Sequence, residues 1–178
     1  MGNRALICND SGALSHWKAC IRLVTINMPA TAVTQTSIDL VSTMSEEVWN
    51  NQNYDSLDDL VSDDFVQHGP VTGMELTGRD ELVSNIEQYH AAFSDLSSKV
   101  NLVFGDESGE YICGHFTNTG THDGELMGIP ATDVKGTVDV IGIYRIEDGK
   151  IAESWISADM FSLFSMIGTY PETDSFAA

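Results

Sequence analysis

GTHDGELMGIPAT (Gly120 to Thr132) and, a little further on, IEDGKIAESWISAD (Ile146 to Asp159) are the stretches whose reading decides the fold. In the second, Glu147-Asp148-Gly149 is a turn. The residues after it alternate, which places Ile151, Glu153, Trp155, Ser157 and Asp159 on one strand face and Ala152, Ser154, Ile156 and Ala158 on the other. One face would then carry an indole and two carboxyls. Asp159 closes the strand just before the apolar pair Met160-Phe161. On this reading its carboxyl loses water, its pKa rises, and it suits a general base. The competing reading is a helix cap, since aspartate at such a boundary accepts hydrogen bonds from the first helical amides.

Working outward, strands are expected at Ser98–Gly105, Glu110–His122, Val134–Glu147 and Lys150–Asp159, separated by glycine-containing turns. Helical spacing precedes them. Ile38, Val41, Met44 or Ser45, and Val48 recur at intervals of three or four, with Trp49 beside them. Asn50 to Asn53 ends that helix, and a short one follows with Leu57, Leu60 and Val61 on a face. Asp63 to His68 reads as the exit into a glycine-rich loop at 69–78. Thr77-Gly78-Arg79-Asp80 then resembles a capping box ahead of a stripe of Leu82, Ile86, Tyr89 and Phe93. Helices followed by an antiparallel meander indicate an α+β fold with the helices on one face of a curved sheet. An apolar segment from Met160 to Ile167 closes the pattern at Gly168.

The chain has 178 residues and 42% hydrophobic content, a usual size for one domain. Its formal charge of −19 argues against nucleic acid and against an anionic membrane surface, both of which require positive patches. The acids are spread over helices and turns, which suggests a solvated surface suited to high salt. Residues 1–27 depart from this character: Arg4, Lys18 and Arg22 stand against Asp10 alone, so an appended or mis-started extension is expected there. The domain proper is expected at 28–170, with a polar tail at 171–178. Cys8, Cys20 and Cys113 fit no metal or redox spacing, and a reducing cytoplasm is their simplest setting. No apolar run is long enough to span a bilayer, and the first residues lack a signal peptide's pattern.

Several motifs occur in an order that resembles the SnoaL-like polyketide cyclases. They are Gly78-Arg79, Gly120-Thr121-His122-Asp123-Gly124, Gly128-Ile129-Pro130, Asp148-Gly149-Lys150-Ile151-Ala152-Glu153, and Trp155 to Asp159. The likeness runs from about Ile38 to Gly168. It implies the cone-shaped barrel of ketosteroid isomerase and nuclear transport factor 2, with an apolar pocket at its mouth. It also implies an ester cyclase-type activity. A base removes a proton next to a carbonyl, and the enolate attacks a second carbonyl of the same molecule, with neither metal nor organic cofactor. The chain departs from the family pattern at Ala131-Thr132-Asp133, at Ser94, and at Met166-Ile167-Gly168.

The resemblance assigns Asp159 as base and His122 as donor to the developing oxyanion, with His68 facing the cavity and Trp155 forming a flat wall. Strand parity adds Phe116 and Asn118, which share a face with His122. His68 and His122 are therefore expected to border one cavity. Each has a plainer reading: a structural histidine for His122, a solvated loop histidine for His68, a core indole for Trp155. His68, His115, His122 and Asp159 lack metal-ligand spacing, and no nucleophile elbow is present. The expected ligand is a small apolar, carbonyl-containing compound. A non-catalytic binding module, or an isomerase or hydratase in the same cavity, are the alternatives. An open sheet with an apolar outer face further implies a homodimer or homotetramer.

Overall fold

A computed structural model of the chain describes residues 31–70 and 73–168. The extension expected at 1–27 and the tail expected at 171–178 lie outside the described residues. The first helix, α1 (Ala32–Thr43), opens at Thr31, whose hydroxyl accepts from the Thr34 amide at 3.1 Å. It widens into a π-helical turn over Met44–Asn50, closed by the Asn51 amide on the Glu46 carbonyl at 3.0 Å. Val41, Met44 and Val48 are buried along it, as their spacing requires. A 3₁₀ turn (Tyr54–Ser56) leads to α2 (Leu57–Leu60) and then to β1 (Val61–His68), a strand where a loop exit was expected. Its alternation survives only in Phe65 and Gln67, both buried, because Asp63 and Asp64 are exposed just ahead of them.

After β2 (Glu75–Thr77) comes α3 (Gly78–Ala92), which buries Leu82 and Ile86 completely. Burial of that kind is worth roughly 1.5–3 kcal/mol per side chain. The cap differs in detail from the expected box: Glu81, not Asp80, takes the Thr77 amide, at 2.7 Å. Then come β3 (Ser97–Gly105), β4 (Tyr111–Thr121), β5 (Lys135–Glu147), β6 (Lys150–Ala158) and α4 (Met160–Met166). The sheet order is β2-β1-β6-β5-β4-β3. All neighbours are antiparallel except β1 and β6, so the sheet is mixed and open, with β2 and β3 at its edges. At the β3 edge the Asn50 side chain substitutes for a neighbouring strand. Its amide donates to the Ser98 carbonyl at 2.9 Å and accepts from the Ser98 amide at 2.7 Å.

Two carboxylates tie the end of α3 to the connection between β4 and β5. Asp123 accepts from the Ser94 amide and hydroxyl. Asp95 accepts from the Thr121 amide at 2.5 Å and from Lys135 at 2.8 Å. The hydrogen bond from Lys135, followed by that from the Thr121 amide, holds the Asp95 carboxyl at about 2, below its ordinary 3.8. A depressed folded-state pKa contributes stability that is full above the unfolded value and is lost as pH falls through the folded one. We therefore expect Asp95→Asn to lower the melting temperature at neutral pH. The gap to the parent should shrink as pH drops from 3.8 toward 2. Acid melts of the two proteins check this, and a gap that persists unchanged would refute it.

Candidate active site

The sheet's inner face and helices α1, α3 and α4 enclose a cavity of about 130 Å³. Val41, Met44, Trp49, Phe65, Phe116 and Leu163 supply much of its apolar wall. Ser45, Gln67, Asn85, Tyr89, Ser98, Asn118, Tyr144 and Ser154 supply the polar atoms. Among the described residues, none of the lining side chains is a carboxylate, an imidazole or a cation. Burial pushes the Tyr144 and Tyr89 phenols above their ordinary range, so both remain neutral hydroxyls at physiological pH. Asn118 presents an Oδ1 with no hydrogen-bonding partner among the described residues. Gln67 and Ser154 are paired at 3.4 Å, and Ser45 and Ser98 at 3.3 Å.

Phe116 and Asn118 stand on this wall, where the parity of β4 puts them. Gly120 and His122 continue the same inner line toward the strand's end. His122 is fully buried. Its Nδ1 lies 3.0 Å from the Thr132 hydroxyl, and its backbone carbonyl accepts from the Thr132 amide at 3.0 Å and the Asp133 amide at 2.9 Å. Nε2 has no hydrogen-bonding partner among the described residues. The imidazole is one ring removed from the cavity. Phe93 lines the cavity on one side and packs against His122 on the other, at 5.3 Å between centroids. Glycine at 120 makes this possible, since a Cβ there would meet the Phe93 Cβ at 3.0 Å. At the far wall the Met166 sulfur occupies the space that a side chain at Gly136 would fill.

Three expected site residues lie elsewhere. The pairing of β5 with β6 shifts between Arg145 and Ile146: Ile146 faces Ile151, whereas Arg145 faces Glu153. The extra residue, Ala152, is a bulge that breaks the simple alternation. Ile151, Ser154, Ile156 and Ala158 consequently line the cavity, while Glu153 and Trp155 turn to the outer face. Trp155 there stacks on His68 at 5.4 Å. His68 also contacts Glu153 at 2.9 Å and Glu75 at 3.4 Å. Gln67, one residue earlier, takes the inner position, so His68 and His122 do not border one cavity. The hydrogen bond from His68, then that from Arg145, lowers the Glu153 carboxyl pKa.

Asp159 is exposed and caps α4, accepting from the Ser162 amide at 2.9 Å and its hydroxyl at 2.5 Å. Those bonds lower its pKa, the reverse of the shift expected from burial beside Trp155. Asp159→Ala is thus expected to destabilise the fold by about 1 kcal/mol, the usual cost of a lost cap. Asp159→Asn, which retains the cap acceptor, should keep near-parental stability and turnover. Thermal melts and initial rates decide it, and a large rate loss in Asp159→Asn alone would restore this residue as the base.

Apart from Asn118, the neutral polar wall was missed from sequence, and so was Thr132. Thr132 was visible within the quoted motif, but nothing in the motif tells which of its residues faces the histidine. Among the described residues no group of three or more metal-ligating side chains converges, and no helix is long and apolar enough to cross a membrane.

The family model of the SnoaL-like polyketide cyclases matches residues 39–166. Aklanonic acid methyl ester cyclase of Streptomyces peucetius is 26% identical over 134 residues, covering 75% of this chain and 91% of that protein. Nogalonic acid methyl ester cyclase of Streptomyces nogalater is 25% identical over 105 residues, covering 59% and 78%. Among solved structures, a SnoaL-like protein from Jannaschia sp. CCS1 superposes with a TM-score of 0.72 at 18% identity, over 81% of this chain and 99% of that one. A Streptomyces galilaeus protein described as a hydroxylase superposes with a TM-score of 0.67 at 25% identity, over 78% and 99%.

Proposed function

The chain belongs to the SnoaL-like polyketide cyclase family, and from that premise we propose that it closes a ring in a neutral, ester-bearing carbonyl compound by proton transfer through His122. The observation that carries this reading is the pairing of an uncharged cavity wall with a buried imidazole whose Nε2 has no partner among the described residues. If Nδ1–H donates to Thr132, Nε2 holds a lone pair and is the acceptor a carbon acid requires. Phe93 lines the cavity and packs against the imidazole at 5.3 Å between centroids, so this reading requires that its ring turn aside to admit the substrate.

In the proposed reaction Nε2 takes a proton from the carbon next to a carbonyl. The enolate carbon then bonds to a second carbonyl of the same molecule, and the imidazolium returns the proton to the new alkoxide. Atoms and electrons balance without an oxidant or reductant. The neutral donors at the wall, Tyr144 and Asn118 among them, stabilise charge on oxygen without presenting a formal charge of their own. The named relatives act on methyl esters, which agrees with a lining that offers no cation to a carboxylate. Four methionines, Met44, Met74, Met160 and Met166, border the cavity and give it room to adapt to ligands larger than its resting volume.

A second reading, a binding module without turnover, is favoured by the absence of any carboxylate from the wall among the described residues. One experiment separates the readings: ligands that co-purify with the protein are identified by native mass spectrometry and offered back in excess. Aldol closure yields a product of unchanged mass with one more ring. Hydration adds the mass of water, isomerisation leaves the ring count unchanged, and a binding module returns the ligand unaltered. Any outcome but the first overturns the proposal.

A further inference from the structure

Strands β4 and β5 bring two pairs of glycines together on the cavity side of the sheet, Gly114 with Gly142 and Gly120 with Gly136. Six residues of strand separate the pairs, roughly 20 Å at about 3.4 Å per residue. Each pair leaves a notch, and each notch is filled by side chains from other positions. Phe116 folds over Gly114 and Tyr144 over Gly142, where the phenol oxygen stands 2.6 Å from the place of a Cβ. Phe93 covers Gly120, and the Met166 sulfur overlaps the place of a Cβ at Gly136, with its Cε 2.7 Å from that place. All four plugging side chains border the cavity, and so do Asn118, Val138 and Val140 between them.

The two ends differ in how firmly they are plugged. Phe116 sits in the main core, and its ring meets Tyr144 edge to face at 6.3 Å between centroids, so moving either ring disturbs packing shared with the helices. Met166 instead belongs to the rim of a smaller cluster around Leu163 and Ile167. It ends α4, a helix of seven residues, and reaches Gly136 as an unbranched thioether with three rotatable bonds. The end that yields is therefore the Met166 end. We propose that Met166 and Gly136 set how long a ligand the cavity admits. With glycine at 136 the thioether tucks against β5, and the space in front of it stays open to the ligand. A side chain at 136 drives the thioether into that space. The inference rests on this cavity being the ligand site and not on proton transfer through His122.

The test is calorimetric titration of the full chain with methyl benzoate and methyl 2-naphthoate, two neutral esters that differ in length by one ring. The quantity read is the ratio of the two affinities, which a general loosening of the fold leaves unchanged. Met166→Ala removes the plug and should raise the preference for the naphthoate by about tenfold or more. Gly136→Ala should lower it by about as much, because its Cβ displaces the thioether. In the Met166→Ala background the same Cβ meets no thioether. The double variant should then keep the ratio of Met166→Ala and not fall back to that of the parent. Met166→Ala alone, in the last turn of a short helix, guards against a folding defect in Gly136→Ala. No turnover enters the measurement, so these ratios stand or fall independently of His122. A parent that binds neither ester, a ratio unchanged in Met166→Ala, or a double variant whose ratio returns to the parental value overturns the proposal.

Discussion

Replacing His122 by asparagine is expected to lower kcat by roughly 10²–10⁴-fold, the range for loss of a general base, while ligand affinity changes only a few-fold. The split follows from position. Because Phe93 separates the imidazole from the cavity, His122 adds little to ground-state binding, and its removal is felt when the proton moves. Asparagine supplies polar atoms near those of the ring and cannot exchange a proton at neutral pH. His122 is fully buried and hydrogen-bonded to its own loop, so a second variant is needed in case the first misfolds. Thr132→Val leaves the ring in place and removes the oxygen beside Nδ1. It should cost about tenfold in kcat with a smaller loss of stability, because the tautomer is no longer fixed. If His122→Asn folds and turns over at the parental rate, the imidazole is structural and the proposed mechanism fails. If Thr132→Val lowers the melting temperature and leaves kcat untouched, the contact only holds the loop.

Much of this architecture was legible in the residues. Strands β3 to β6 and the long helices lie close to where alternation and three-to-four spacing placed them, because those segments bury one face and polar positions mark the other. Two elements were not. In β1 the pair Asp63-Asp64 interrupts the apolar alternation, and the parallel pairing with β6 is a long-range contact that no local pattern announces. In β6 one extra residue shifts the register, and a period of two carries that slip through to Trp155. Trp155 turned outward for this backbone reason, and His68, its neighbour across the pairing of β1 with β6, lies outward because Gln67 takes the inner position of β1.

Asp159 teaches a different lesson. The sequence allowed both a buried base and a helix cap, and the two differ only in whether the next turn folds back onto the carboxylate. Ser162, three residues on, supplies both an amide and a hydroxyl, and these settle its hydrogen bonding. Serine in the first turn was the available signal, and the apolar pair Met160-Phe161 drew attention from it. The candidate chemistry consequently rests on one imidazole and a set of neutral donors rather than on a histidine–aspartate pair.

The uncharged wall leads to the other large effect. We expect kcat/KM for an esterified substrate to exceed that for the corresponding free acid by at least about 10²-fold at neutral pH. A carboxylate entering the cavity gives up its water and finds no cation in return among the described residues. Arg79 is engaged by Asp58 and Asp63, Lys135 by Asp95 and Arg145 by Glu147 and Glu153; Lys150 donates to the Asp58 carbonyl, and Lys99 is exposed. None of them lines the cavity. The chain's charge of −19 opposes the approach of an anion as well, whereas the ester meets neither barrier. Two controls separate these causes. Raising the ionic strength relieves the long-range repulsion and leaves the desolvation cost, so the discrimination should shrink only slightly in salt. Lowering the pH toward the pKa of the acid makes that substrate neutral, and the ratio should then fall toward unity over the range in which the fold survives. Paired measurements of kcat/KM for ester and acid, at two salt concentrations and across pH, test every part of this. Equal rates for ester and ionised acid would mean that a cation reaches the bound ligand, and the uncharged cavity would not then be where the reaction occurs.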